Sequence, residues 1–233
     1  MNVIEALARP EIVAMKPYSS ARKEAPGKGV LLNANEAPWS LLAEDSDSGV
    51  ALNRYPDPQP EILVRRLAAL YGVPEENLLV TRGSDEGIDL LTRVFCRSGQ
   101  DAILQCPPTF GMYRIAAQAQ GADIVNVARR ENDFTMDETA VLQALDKDPR
   151  IKLVFLTAPI NPTGDLFRGD FLERLLQAVL GRALVVVDEA YAEFCSQPSA
   201  ARLVERNDHL VILRTMAKAW AAAGLRCGSV IAN

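Results

Sequence analysis

From Glu61 to Tyr71 the apolar residues Ile62, Leu63, Leu67, Leu70 and Tyr71 recur at helical spacing and predict an amphipathic helix. Beyond it the rhythm changes. Short aliphatic, often β-branched runs at Leu78–Thr81, Ala102–Gln105, Asp123–Val127, Lys152–Leu156, Leu184–Asp188, Leu210–Arg214 and Ser229–Ala232 read as strands. Between several of them, Ser84–Cys96, Thr109–Gln118, Met136–Leu145 and Asp170–Leu180 return to a helical period. Strands alternating with helices predict an α/β fold, a mostly parallel seven-stranded sheet with helices on both faces. Residues 1 to about 50 are irregular and rich in Pro, Gly, Ser and Ala, and read as an N-terminal arm ahead of one large domain spanning 51–233.

Ligands of such sheets bind beyond the carboxyl ends of the strands, so the residues that follow each run are where chemistry is expected. Thr81-Arg82-Gly83-Ser84-Asp85-Glu86 is a glycine turn opening a helix; its free amides and helix dipole suit an anion, although Ser84 or Asp85 could simply cap the helix. In Cys106-Pro107-Pro108-Thr109-Phe110 the prolines fix a turn and place Phe110 in the first turn of the next helix, to stack on a planar ring or fill the core. Asn161, between prolines in Ala158-Pro159-Ile160-Asn161-Pro162-Thr163-Gly164, projects its amide from a turn. Asp188 ends the apolar run Val185-Val186-Val187, where a carboxylate is costly unless it meets positive charge, and Tyr191 follows three residues on. Lys218 stands among alanines and Trp220, surroundings apolar enough to favour a neutral, nucleophilic amine, if it is not a solvated surface lysine.

Charge narrows the range of partners. With 25 Lys and Arg against 30 Asp and Glu, the net charge is -5 and no basic run appears, which argues against nucleic acid. The longest apolar stretches are too short to span a bilayer, and the first residues lack a basic-then-apolar leader, so neither membrane nor signal peptide is expected. Cys96, Cys106, Cys195 and Cys227 lack metal-ligand spacing and read as buried reduced thiols in a cytoplasmic protein; no metal is expected.

Taken together and in this order, RGSDEGIDLL, CPPTFGMY, NPTG, VDEAYAEF and AKAWAAAGLRCG resemble the fold-type-I aminotransferases, which depend on pyridoxal 5'-phosphate. The likeness also takes in Pro17-Tyr18, Asn33-Ala34-Asn35-Glu36 and Arg54-Tyr55-Pro56. It implies that Lys218 bonds the cofactor aldehyde and moves the substrate proton, while Asp188 pairs with the pyridine nitrogen. Tyr191 and Asn161 would bond the ring hydroxyl, and Phe110 would stack on the ring. Ser84, Asp85, Thr215 and Arg226 would hold the phosphate, and Glu86 is counted among the cofactor-binding residues. Tyr55 would reach the phosphate in a neighbouring subunit, making a homodimer with shared sites, and Tyr18, Asn35 and Glu36 would shape the substrate end. The implied reaction takes a small amino donor and a 2-oxo acid acceptor, L-histidinol phosphate and 2-oxoglutarate. Aromatic or broad-specificity aminotransferases and a phosphothreonine decarboxylase share the scaffold, and a cofactor-binding fragment without turnover is also open. Ala217 stands where a serine is common, and the small C-terminal domain of the family is expected to be absent from this chain.

Overall fold

The computed structural model describes residues 3–18, 30, 32–41 and 52–233, so the arm predicted over 1–50 falls partly outside them. Seven strands form one sheet: β1 (Leu78–Thr81), β2 (Ala102–Gln105), β3 (Asp123–Asn126), β4 (Ile151–Thr157), β5 (Leu184–Asp188), β6 (Leu210–Thr215) and β7 (Gly228–Ile231). Their order is β1-β7-β6-β5-β4-β2-β3. Only β7 runs against its neighbours, pairing antiparallel with β1 and β6; the pairs among β2 to β6 are parallel. The predicted class and strand count are those observed.

Alternation along the central strands explains the layering. In β4, Leu153 and Phe155 enter one core while Val154 and Leu156 enter the other; in β5, Leu184 and Val186 oppose Val185 and Val187. A strand buried on both faces reads as a continuous apolar run, as these do. One face is covered by α4 (Ser84–Phe95) through Ile88, Leu91 and Phe95, and by α5 (Met112–Gln120) through Tyr113, Ala116 and Ala117. The other is covered by α3 (Glu61–Tyr71), α6 (Glu138–Lys147) and α7 (Gly169–Ala178), the last burying Phe171, Leu172, Leu175 and Leu176. Two short helices, α1 (Val3–Leu7) and α2 (Pro10–Val13), precede these; Leu7 joins the α4 side.

Several helix ends differ from expectation, two of the starts for a local reason. Helix α5 begins at Met112, so Phe110 precedes it rather than occupying its first turn; the helical ladder starts only at the Gly111 carbonyl, which accepts from Ile115 N at 3.2 Å. The preceding segment is held elsewhere, with the Pro107 carbonyl accepting from Arg129 N at 2.9 Å. Helix α6 begins at Glu138 because Asp137 caps it, accepting from Ala140 N at 3.0 Å. Helix α7 stops at Ala178, short of the expected Leu180.

Where β7 starts, the chain passes close to the opening of α4. A Cβ on Gly228 would lie 2.5 Å from the Gly83 carbonyl carbon and 2.7 Å from Ser84 N, both backbone atoms that cannot swing aside. Glycine there lets the helix start sit directly on the sheet edge. Gly228→Ala should therefore cost about 1–3 kcal/mol, the scale of overpacking, seen as a lower melting temperature in calorimetry; an unchanged transition would contradict the close approach.

Candidate active site

The carboxyl ends of β1, β6, β5 and β4 gather at one edge of the sheet beside the amino end of β7. A cleft of about 500 Å³ opens there. Ser84, Asp85, Phe110, Asn161 and Asp188 line it, as do Tyr191, Thr215, Lys218 and Arg226. Nine residues predicted from separate segments thus share one cavity.

Its floor is Asp188, the last residue of β5 and only 2% exposed. The Tyr113 hydroxyl donates to its Oδ2 at 2.7 Å, and the Ala190 amide donates to its Oδ1 at 3.0 Å. Tyr113 also lies 2.8 Å from the Thr157 hydroxyl. Burial pushes the Asp188 carboxyl up to about 6, while the bonds from Tyr113 and Ala190 pull it back. Tyr113 is itself fully buried, stacked on Phe155 with centroids 4.6 Å apart and meeting Phe110 edge-on at 5.7 Å. Burial, and next the charge on Asp188, hold its phenol well above the usual range. Among the described residues no cation pairs with Asp188. Tyr113 and Thr157 were not predicted as site residues, although Tyr113 follows Phe110 by about one helical turn and was within the segment singled out.

Above the floor stand Lys218, Tyr191 and Asn161. Asn161 Nδ2 donates to the Tyr191 hydroxyl at 3.4 Å, and Lys218 Nζ lies 5.5 Å from the centre of the Tyr191 ring. Lys218 is exposed, so the apolar surroundings expected for it are not found. Trp220 turns away instead and donates from Nε1 to Glu193 Oε1 at 2.9 Å.

The far end is built for an anion. Helix α4 is capped by Gly83, whose φ of 83° lies in the left-handed region, and no side chain bonds its first amides, so neither Ser84 nor Asp85 serves as the cap. Uncapped amides and the positive end of the helix dipole face the cleft beside Arg226 and Thr215. Arg226 Nη2 is 3.3 Å from Asp85 Oδ2. Glu86, expected among the cofactor-binding residues, stands apart from this lining. Its carboxylate accepts from Arg82 N at 2.6 Å and Arg82 Nε at 3.2 Å, so it fastens the turn and does not line the cleft.

The residues expected at the substrate end also stand outside the lining. Glu36 accepts from Arg54 Nη1 at 2.8 Å and from Tyr55 N at 2.7 Å, while the rings of Tyr18 and Tyr55 are exposed. All four cysteines are free; Cys96 and Cys106 are buried, and burial pushes both thiols up to about 12, but Cys195 and Cys227 are half-buried, not buried as expected. No helix among the described residues is long and apolar enough to cross a membrane.

Residues 28–233 match the family model described as aminotransferase class I and II. The chain belongs to that family. Its similarity to histidinol-phosphate aminotransferase of Pectobacterium atrosepticum is 47% identity over 233 residues, all of this chain and 64% of the relative. To the Haemophilus influenzae (strain PittGG) enzyme of that name it is 46% identical over 230 residues, 99% of this chain and 64% of the relative. The chain therefore spans about 64% of the length of these curated relatives. A solved histidinol-phosphate aminotransferase from Sinorhizobium meliloti, in complex with pyridoxal-5'-phosphate, shares the fold at 23% identity and TM-score 0.67, over 77% of this chain and 48% of its own. As in the family's motif order, the strand-end motifs of this chain meet in one cleft.

A pH signature follows from Asp188. Its carboxyl is raised from 3.8 to about 6 on folding, so between those values the folded chain holds a proton that the unfolded chain has released. The stability this proton gives is full below the lower value and is lost as pH rises through about 6. Denaturant unfolding without added ligand should lose about 3 kcal/mol from this group across that window, and Asp188→Asn should remove that part of the slope. An identical slope in the variant would contradict the assignment.

Proposed function

We propose that this chain binds pyridoxal 5'-phosphate and forms the cofactor half of an enzyme that moves an amino group between L-histidinol phosphate and 2-oxoglutarate. The observation carrying this is that one cleft holds an amine, a buried carboxylate with no cationic partner among the described residues, and an uncapped helix start beside an arginine. Each matches one part of the cofactor. A pyridinium N–H suits Asp188, whose own partners supply hydrogen bonds but no positive charge. A phosphate suits the α4 amides, Ser84, Thr215 and the Arg226 fork, where Gly83 leaves room that a Cβ would fill, 2.9 Å from Arg226 Nη2. Asp85, which lines the same end, would hold Arg226 in place.

When bound, the cofactor supplies an electron sink for the pair released at the substrate α-carbon. Asp188 would keep the ring nitrogen protonated, which is what makes that sink deep. Asn161 and Tyr191, already within 3.4 Å of each other, would donate to the ring hydroxyl. Phe110 would lie against the ring face, and its edge-on contact with Tyr113 ties that face to the Asp188 floor. Lys218 would hold the cofactor covalently and afterwards carry the proton to and from the substrate α-carbon. With alanine at 217, the Thr215 hydroxyl, which accepts from Ala217 N at 3.2 Å, would take the phosphate contact alone on this loop.

The relatives at 46% and 47% identity support histidinol phosphate as the donor. The fold does not choose it, since a solved L-threonine-O-3-phosphate decarboxylase from Porphyromonas gingivalis shares it at TM-score 0.63. We further place the enzyme in the cytoplasm as a homodimer in which Tyr55, exposed here and held through its backbone by Glu36, completes the partner's phosphate site. Tyr18, Asn35 and Glu36 would shape the substrate end of that shared site.

Borohydride reduction with pyridoxal 5'-phosphate, followed by peptide mapping, should place the added mass on Lys218 and on no other lysine; Lys218→Ala should abolish it. In the full-length protein, single-turnover mixing with L-histidinol phosphate should convert bound cofactor to its amine form. Carbon dioxide release from phosphothreonine, with no amino transfer, would replace this reading with the decarboxylase. Sedimentation should find a dimer, and Tyr55→Phe should weaken cofactor retention by roughly tenfold, the scale of a hydrogen bond to a charged group; a fully active monomer would refute the shared site.

A further inference from the structure

Behind the cleft, two loops are fastened together by a group that the proposed chemistry does not use. One follows Asp188 at the end of β5 and carries Glu189, Tyr191 and Glu193; the other follows β6 and carries Lys218 and Trp220. Arg214, buried near the end of β6, donates to Glu189 Oε2 at 2.8 Å and to Glu193 Oε1 at 2.5 Å. Its guanidinium lies 4.7 Å from the centre of the Tyr71 ring, and the Tyr71 hydroxyl donates to the Met216 sulfur at 3.6 Å. Glu189 is fixed in turn by Ser199 Oγ at 2.5 Å and Ala200 N at 2.6 Å. Glu193 Oε1 also accepts the Trp220 indole N–H. One carboxylate oxygen therefore joins the buried arginine to a side chain two residues beyond Lys218.

We propose that Glu193 is a positioning residue: by anchoring Trp220 to Arg214, it sets where the Lys218 amine stands relative to the Asp188 floor. The backbone of the Lys218 loop gives the anchor its importance. The loop is a tight turn, with Ala221 N donating to the Lys218 carbonyl at 3.0 Å and Ala221 at φ 51°, the left-handed region that a residue with a Cβ rarely adopts. Lys218 itself is exposed, and its side chain lies over the Tyr191 ring. Ala217 N donates to the Thr215 hydroxyl at 3.2 Å and Ala222 N to the Met216 carbonyl at 3.0 Å, which close the loop on itself; the Trp220–Glu193 bond, accepted by a carboxylate only 19% exposed, is what ties the turn to the buried pair. A hydrogen bond to a charged acceptor in that setting holds geometry better than a neutral one. The bond acts on the reach of the amine, not on the ring or phosphate contacts, which belong to other segments.

The inference rests on pyridoxal 5'-phosphate as the cofactor, and the test separates the two. Wild type, Trp220→Phe, Glu193→Gln and Glu193→Ala are compared for binding of pyridoxal 5'-phosphate, scored as borohydride-fixed mass on Lys218. They are also compared for binding of 4'-deoxypyridoxine 5'-phosphate, which has the ring and phosphate but no aldehyde. Trp220→Phe and Glu193→Ala should slow covalent capture by roughly tenfold, the scale of a lost hydrogen bond to a charged group. Their affinity for the deoxy analogue should stay within about twofold of wild type, an offset smaller than one such bond. Glu193→Gln, which keeps an acceptor for the indole, should recover part of the rate, and the apoprotein's tryptophan emission should shift in Glu193→Ala but stay near wild type in Glu193→Gln. Equal losses for both ligands would mean a merely structural role and overturn the proposal, as would unchanged capture. Failure of the wild type to bind either ligand would overturn the cofactor reading and this proposal with it.

Discussion

A carboxylate removed from water at the end of an apolar strand is the constraint around which this chain is arranged. The five residues of β5 are all buried, and Asp188 is their last. Moving such a group out of water costs several kcal/mol unless charge or hydrogen bonds replace its hydration. Tyr113 and the Ala190 amide replace part of it, and burial still lifts the carboxyl to about 6. Delivering Tyr113 requires α5 to lie close on the sheet, which the small buried residues Ala116 and Ala117 permit. Delivering Thr157 requires β4 to run on to that residue.

The neighbouring acid is treated in the opposite way. Glu189 has Arg214, Ser199 and the Ala200 amide, so its burial is answered within the chain. Asp188, one residue earlier, has only neutral donors among the described residues. Two adjacent carboxylates in one strand end thus separate into a structural ion pair and a site that a cationic ring would complete. The helix start of α4 offers the complementary feature, positive potential without a capping anion from a side chain. A ligand with a cationic ring at one end and a phosphate at the other satisfies both, and the cleft spans the two.

Most of this was legible along the chain, for identifiable reasons. The buried parallel strands announce themselves as apolar runs, so β2 and β5 match their predicted limits, as does the antiparallel edge strand β1. Helix starts were less legible, because Phe110 is held by the strand-end turn and Asp137 forms a cap, neither of which shows in periodicity. Nine strand-end residues converge as expected, since each ends or follows a strand pointing to the same edge. Glu86 does not, because a glutamate in a first helical turn reaches back to the amide of Arg82. Tyr113 escaped notice because apolar spacing marks it as core, which it is, while its hydroxyl does polar work. Lys218 shows the converse: alanine neighbours in sequence do not make an apolar environment when the turn leaves them exposed.

The central claim is that Asp188 lacks a cation among the described residues because a protonated ring nitrogen takes that place. The most direct measurement is the ¹⁵N chemical shift of the ring nitrogen in labelled pyridoxal 5'-phosphate bound to the protein, compared in wild type and Asp188→Asn. The account expects a protonated nitrogen in wild type across neutral pH and an unprotonated one in the variant. An unprotonated nitrogen beside an intact Asp188, or one protonated equally in both proteins, would contradict it.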